Sequence, residues 1–438
     1  MKKILIALAV ILAVQVADAQ TKSVDAVKKS VESAEADAQN PKKNTKVATW
    51  LKLATSYVDA YNAPTGNVIL NSPRMQIQMM LGQEKPSSSE SVVIDGMNFK
   101  KEVYANKNLY FDETDVLRIV EVTKPVYEDA LASALNAYVK AYEVDAKKSK
   151  EKDIKAGIAS INQKYTTDAF NAYQLGELSK ASELFALAAD AMNTAPLSQV
   201  DTNAIYNAGF TAWMAQDYQT AKKHFEDCLG YGYYYDGGEV FAKLADIYKN
   251  LGSQAEVVTI LEEGFTKFPQ SQSILIGLIN YYLENKQDPK RLFDLIDLAK
   301  QNEPNNASLY YVEGNVYKEL GDIASAANAY AACASINPEY EYGYIGAGVM
   351  YYELAVKLSE EASNEFDDAK YNALVEQFEK ALLDAIDPFE KAYATTKDET
   401  LKVSIAEYLK NIYYRFISKG AEYEAGYKKY DEIVKGAN

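Results

Sequence analysis

Residues 307–338, ASLYYVEGNVYKELGDIASAANAYAACASINP, decide the reading of this chain. They read as two short helices joined at Gly321-Asp322. Tyr310, Gly314 and Tyr317 recur at helical spacing on one face of the first helix, and Ala326, Tyr330 and Cys333 do so on the second. A large–small–large face packs closely against a small–large–small face. Pro338 ends the unit because its ring cannot continue a helix. A hairpin of this size cannot bury both its apolar surfaces alone and needs neighbours.

The neighbours are present on both sides. Tyr165, Ala169 and Ala172 face Ala181, Phe185 and Ala188, with Gly176 at the turn. Ile205, Gly209 and Ala212 face Ala221, Phe225 and Cys228. Phe241, Ala245 and Tyr248 face Val257, Leu261 and Gly264, with Gly252 at the turn. Leu275, Ile279 and Tyr282 open a unit that Ala299 and Pro304 finish. Pro269, Pro304 and Pro338 stand 35 and 34 residues apart. Upstream, a helix is expected over 23–38, and one over 45–62 whose Trp50, Ala54 and Tyr57 repeat the large–small–large face. After Pro125, Ala134, Tyr138 and Ala141 carry its complement.

These units resemble the tetratricopeptide repeat (TPR), a helix–turn–helix of 34 residues with this alternation and a terminal proline. The resemblance covers most of 45–62 and 125–417 and is clearest over 203–338. The family's first-helix tryptophan is matched only by Trp50; Tyr, Phe, Ile or Leu stands there elsewhere. The resemblance implies an all-α, right-handed superhelical solenoid of stacked hairpins with a concave groove.

Three stretches depart from the repeat. Residues 63–124 lack the helical period. SVVI at 91–94, MNFKKEVYA at 97–105, NLYF at 108–111 and VLRIVEV at 116–122 alternate or are β-branched, with turns at Asp95-Gly96 and Asn106-Lys107-Asn108. They predict a small antiparallel sheet near 86–122, inserted between two helices of one repeat. Lys147–Lys155 reads as a solvated turn. The unit opened by Tyr344, Gly348 and Tyr351 runs on through Glu361. A second long helix follows from about Asp367, with Pro388 inside it as an expected kink, giving an extended hairpin near 345–395. The expected organisation is a leader at 1–19, N-terminal helices at 20–62, the insert at 63–124, a solenoid at 125–395 and capping helices at 396–438.

Composition narrows the function. The chain has 438 residues, 48% hydrophobic and 25% charged, so it folds. Its net charge of −16 disfavours a nucleic-acid partner, because phosphates need a basic surface. Lys2 and Lys3, the apolar run Ile4–Val14 and the small residues of Ala17-Asp18-Ala19 predict a signal peptide cleaved after Ala19. The product is expected in the periplasm, with no transmembrane span in the mature chain. Cys228 and Cys333 fill the same small slot of two separate repeats, too far apart to bridge.

Nothing points to catalysis or a cofactor. His224 is the single histidine, so a zinc site with several histidine ligands is excluded and a Ser-His-Asp triad would have to be built on His224 alone; an outward, solvent-facing position is expected for it, which speaks against that role. The glycines of residues 230–238, GYGYYYDGG, lack the Lys-Ser/Thr of a phosphate loop and read as an extended inter-repeat turn with packed tyrosines. Acidic pairs such as Glu360-Glu361 and Asp367-Asp368 read as solvated helix faces.

The resemblance implies that the residue following each first-helix core position faces the groove. That places Phe170, Tyr173, Tyr206, Phe210 and Trp213 in the early units. Asp246, Lys249, Asn280, Tyr311, Asn315 and Lys318 follow in the middle units, then Ile345, Val349 and Tyr352. The leading expectation is a non-enzymatic protein–protein interaction scaffold of the cell envelope, holding a peptide or protein segment in the groove. The alternatives are a glycan-binding protein that stacks sugars on Tyr and Trp, and docking through the insert and the late hairpin.

Overall fold

A computed structural model describes residues 22–285 and 288–437. The expected leader lies outside the described residues. The chain divides into two compact units, one on each side of the Tyr235–Asp236 peptide.

The first unit holds α1 (Val24–Gln39), α2 (Val47–Asn62), α3 (Arg74–Leu81), β1 (Ser88–Ile94), β2 (Met97–Val103), β3 (Lys107–Phe111), β4 (Leu117–Val122), α4 (Ala130–Val144), α5 (Glu151–Gln174), α6 (Leu178–Asn193), α7 (Thr202–Met214) and α8 (Tyr218–Gly230). The second holds α9 (Glu239–Asn250), α10 (Gln254–Lys267), α11 (Gln272–Glu284), α12 (Pro289–Asn302), α13 (Ala307–Glu319), α14 (Ile323–Ile336), α15 (Tyr342–Ser363), α16 (Asp368–Thr395), α17 (Glu399–Phe416) and α18 (Ala421–Ala437). Neighbouring helices pack as antiparallel pairs: α2 with α4, α5 with α6, α7 with α8, and so on to α17 with α18. Within each unit this is a TPR-like solenoid packing, as the large–small alternation requires. Ala134, Ala169, Phe185, Phe225, Phe241 and Ala326 are wholly buried.

One turn is used four times. The first helix ends in a residue at positive φ: Gly176 at 78°, Gln216 at 61°, Gly252 at 77° and Gly321 at 77°. The next residue donates its N–H five residues back, at 2.9 Å (Glu177 to Ala172), 2.9 Å (Asp217 to Ala212), 2.8 Å (Ser253 to Tyr248) and 2.9 Å (Asp322 to Tyr317). This is the Schellman closure, which satisfies carbonyls the helix leaves orphaned. Asp217 and Asp322 then cap the second helix through the N–H groups of Thr220 and Ser325, at 3.1 and 3.0 Å. Each such cap stabilises by about 1 kcal/mol.

The insert separates α2 from its partner α4. Its four strands form an antiparallel meander in the order β1-β2-β3-β4. The β1–β2 turn is Asp95-Gly96 with both φ positive, the two-residue hairpin the sequence predicts. Two details differ from expectation. A helix, α3, stands where no helical period is evident, because only Ile77 of its eight residues is buried while Met75 and Met79 are 74% and 78% exposed. Lys107, expected in a turn, opens β3 and is 1% exposed. Its ammonium donates to both oxygens of Glu84 at 2.7 and 2.8 Å and lies 5.2 Å from the Tyr104 ring. Glu102, equally buried, bridges Arg74 of α3 and the Tyr104 hydroxyl. These pairs tie α3 and the loop after it to one face of the sheet. Phe99, Tyr110 and Ile119 on the other face pack against Leu175 at the end of α5.

Two further differences concern helix ends and faces. α5 begins at Glu151, within the stretch expected as a turn, and Ile154 is wholly buried. Asp145 makes the turn instead, its carboxylate accepting from the backbone N–H of Ser149 and Lys150. His224 is half-buried rather than solvent-facing. A Cβ on Gly209 would stand 3.1 Å from its Cβ, so the two helices meet at this point.

In the second unit α15 and α16 are 22 and 28 residues long, against 13 and 14 for α13 and α14. They form the extended hairpin, and α16 continues on both sides of Pro388. α17 and α18 pack beside it around Leu409, Phe416 and Tyr430. No helix among the described residues is long and apolar enough to cross a membrane. Cys228 and Cys333 are free and buried, and burial pushes their thiols up to about 12 and about 11.

Candidate binding face

The first-helix faces of the two units are built differently. In the first unit Tyr206 and Phe210 are only 6% and 3% exposed. The Tyr235 ring stacks on Tyr206 with centroids 4.1 Å apart, and Phe225 meets it edge-on at 5.5 Å. Tyr233 closes the cluster at 6.2 Å and donates its hydroxyl to Asn203 at 2.7 Å. The chain's own turn therefore covers Tyr206, and Phe210 is buried beside it with the two rings stacked 6.2 Å apart. Trp213 remains half-exposed, 5.8 Å from Phe210. Phe170 turns inward onto Phe185, edge-on at 5.1 Å. Tyr173 is half-exposed, and its hydroxyl is pushed up by burial and then by the Asp95 carboxylate of the β1–β2 turn. The insert thus stands beside this part of the face.

The same unit holds one carboxyl with a raised pKa. Burial pushes Asp168 up to about 6, while the Tyr61 hydroxyl donates to it at 2.9 Å and opposes the shift. Lys164 lies 5.2 Å from the Tyr61 ring and donates to Asn62 at 2.8 Å. The group joins α2 to α5.

In the second unit the face is open and polar. Asp246, Lys249 and Asn280 are exposed. Lys249 of α9 donates to both carboxylate oxygens of Glu284 on α11, at 2.6 and 2.8 Å and 35 residues away. Lys318 of α13 pairs with Glu353 of α15 at 3.0 Å, also 35 residues away. The recurrence shows that these positions lie at one height on adjacent first helices. Between them stand Tyr311, half-exposed with Tyr342 at 5.8 Å, and Asn315, whose amide oxygen accepts from the Tyr330 hydroxyl at 2.8 Å. Ile345 and Val349 are half-buried along α15. Tyr352 follows, edge-on to Tyr408 at 4.9 Å.

Two clefts open in this unit. One of about 430 Å³ lies where Ala331 and Ala334 of α14 face Asp387 and Lys391 of α16 across Tyr344 and Tyr351. The other, about 270 Å³, opens at Tyr352 between α15, α16 and α17.

Sequence reading did not assign Tyr340 and Tyr342 to the face. The signal was available, since Tyr340 stands three repeats after Tyr235, as Tyr311 does after Tyr206 and Cys333 after Cys228.

No family model matches the chain, and no curated protein matches it. The solved structures to which it is similar include a tetratricopeptide repeat protein from Parabacteroides merdae, 14% identical, covering 63% of this chain and 97% of that one with a TM-score of 0.41. They also include YrrB, described as a TPR protein with an unusual peptide-binding site, 18% identical over 41% of this chain and 88% of that one, TM-score 0.33. MamA is 19% identical over 45% and 96%, TM-score 0.34.

Proposed function

We propose that the chain is a non-enzymatic scaffold of the bacterial cell envelope, exported with cleavage after Ala19, that binds a peptide or protein segment along the first-helix face of its second unit. The observation that carries this reading is the row from Asp246 to Lys318. It sets charged, amide and phenolic groups at repeat spacing on successive first helices, and Asn280 at its middle is exposed. Such a row offers backbone-matching hydrogen bonds, with Tyr311 as an aromatic anchor. Lys249 and Lys318 already hold glutamate partners. Their role is to fix neighbouring helices in register, while the exposed Asn280 and the half-exposed Tyr311 make the contacts. In the first unit Trp213 and Tyr173 are the residues that retain surface for a partner.

The test is site-specific photo-crosslinking in cells from positions 280 and 311, with Val200, 44% exposed in the first unit, as control. An envelope protein captured from both row positions and not from the control is the expected result. Tyr311→Ala should then weaken binding of that purified protein at least about tenfold, the scale of an interface anchor. Equal capture from all three positions, or none, removes the reading.

A further inference from the structure

The long hairpin of the second unit carries two features that the binding row does not use. The first is Phe366, at the turn between α15 and α16, 98% exposed. The turn that displays it is ordered. The Glu365 carboxylate accepts from the N–H groups of Phe366 and Asp367 at 2.8 and 2.9 Å. Asp367 caps α16 by accepting from Ala369 and Lys370, both at 3.0 Å. Residues 358–369 hold five carboxylates (Glu360, Glu361, Glu365, Asp367, Asp368) and no cation. A fully displayed ring thus sits on an acidic tip.

The second feature is the cleft of about 270 Å³ further down the same hairpin. Tyr352 and Val356 of α15 and Phe378 and Leu382 of α16 form its apolar walls, and Arg415 of α17 lines the opposite side. A cavity of about 150 Å³ already accepts a benzene ring. The Arg415 guanidinium lies 5.4 Å from the Phe378 ring and reaches Glu379 at 3.2 Å. Lys419 shares that same carboxylate, so the α17 side holds two cations on one anion. Glu360 lines the cleft from α15, which directs an incoming acidic segment toward the α17 side.

We propose that the hairpin is a self-association element: Phe366 of one copy seats in the Tyr352–Leu382 cleft of a second copy. Ring and cleft match in size, and the acidic tip matches the Arg415–Lys419 side in charge. From Val356, α15 runs on to Ser363, a rise of about 10 Å, before the turn that carries Phe366. Two hairpins laid antiparallel over that distance bring each tip to the other's cleft, so the contact closes on itself as a two-fold dimer. An anionic membrane is a poor alternative for a ring surrounded by carboxylates.

Sedimentation equilibrium of the purified chain over roughly 1–100 μM tests this. The wild type should form a dimer that weakens as salt is raised. Phe366→Ser and Val356→Glu, the latter at a position 45% exposed, should each give a monomer with unchanged far-UV circular dichroism. Arg415→Glu should raise the dimer dissociation constant at least about tenfold. A monomeric wild type overturns the proposal, as does a dimer that survives either Phe366→Ser or Val356→Glu. A series of higher oligomers overturns the closed contact. A monomer that floats with phosphatidylcholine vesicles in a Phe366-dependent way assigns the ring to a lipid surface instead and also overturns it.

Discussion

The α7–α8 pair of the first unit and the α13–α14 pair of the second are built on one plan and finished differently. Tyr206, Phe225, Cys228 and Tyr235 of the first correspond to Tyr311, Tyr330, Cys333 and Tyr340 of the second. In both, a tyrosine from the following turn approaches the first-helix tyrosine, at 4.1 Å and at 6.5 Å. Two of the differences between them are linked. Where the first has Phe225 and Phe210, the second has Tyr330 and Asn315, and the added hydroxyl is satisfied by the added amide. Where the first has Trp213, the second has Lys318 in an ion pair with Glu353. A single polar atom entering the core required a partner, and the partner brought polarity to the face. One pair became an aromatic block; the other became an open, hydrogen-bonding surface.

The comparison breaks first at the buried aromatic. Phe210→Asn places an amide where no hydroxyl waits for it and should cost about 3 kcal/mol. Thermal unfolding followed by tryptophan emission reads this directly, since Trp50 and Trp213 both lie in the first unit. A loss under about 1 kcal/mol would show that the block is not packed as described.

The glycines under the two second-helix rings give the next effect. A Cβ on Gly314 would stand 2.6 Å from the Tyr330 ring, whereas one on Gly209 would meet its nearest atom at 3.1 Å. Gly314→Ala should lose about 2 kcal/mol to overpacking. Gly209→Ala should be close to neutral, because the gain in helix propensity, about 1 kcal/mol, offsets a slight crowding. Equal melting shifts for the two would contradict the closer approach in the second unit.

The linkage itself is measured by a double-mutant cycle. Asn315→Ala leaves the buried Tyr330 hydroxyl unpaired and should cost about 1–2 kcal/mol. Tyr330→Phe in the same chain should recover about 1 kcal/mol of that loss. Urea midpoints that simply add would show that hydroxyl and amide are independent.

The smallest effect concerns pH. His224 has no counterpart in the second unit, where Ala329 stands three repeats on. Burial first, and then Lys223, hold its imidazolium below the ordinary 6.5. A depressed base contributes stability above its unfolded value and loses it as pH falls, so the first unit should soften below pH 6.5. His224→Ala should remove that acid dependence from tryptophan-monitored melts. Asp168, raised in the same unit, contributes with the opposite sign to both proteins, so an identical pH dependence of melting in wild type and His224→Ala would contradict the half-buried placement.

Much of this architecture is legible in the residues. The alternation of large and small side chains at helical spacing assigns the pairs, and Gly176, Gly252 and Gly321 mark turns that need positive φ. Asp95-Gly96 and the β-branched runs give the meander. The failures share a cause. α3 buries one side chain and so leaves no periodic trace. Lys107 is buried because Glu84 and Tyr104 arrive from other segments to hold its charge. Tyr206 occupies a groove position by spacing, yet Tyr235 folds back over it.

By itself, then, the sequence determined the repeat, its turns, the insert between α2 and α4 and the long late hairpin. Each follows from backbone preference and from apolar spacing within a few residues. Only the tertiary structure decided which surfaces stay open: the covered Tyr206 and Phe210, the open Asp246–Lys318 row, the Tyr352 cleft and the bare Phe366. Spacing sets the direction in which a side chain points, but exposure depends on which distant segment gains free energy by covering it. That balance is struck between parts of the chain far apart in sequence.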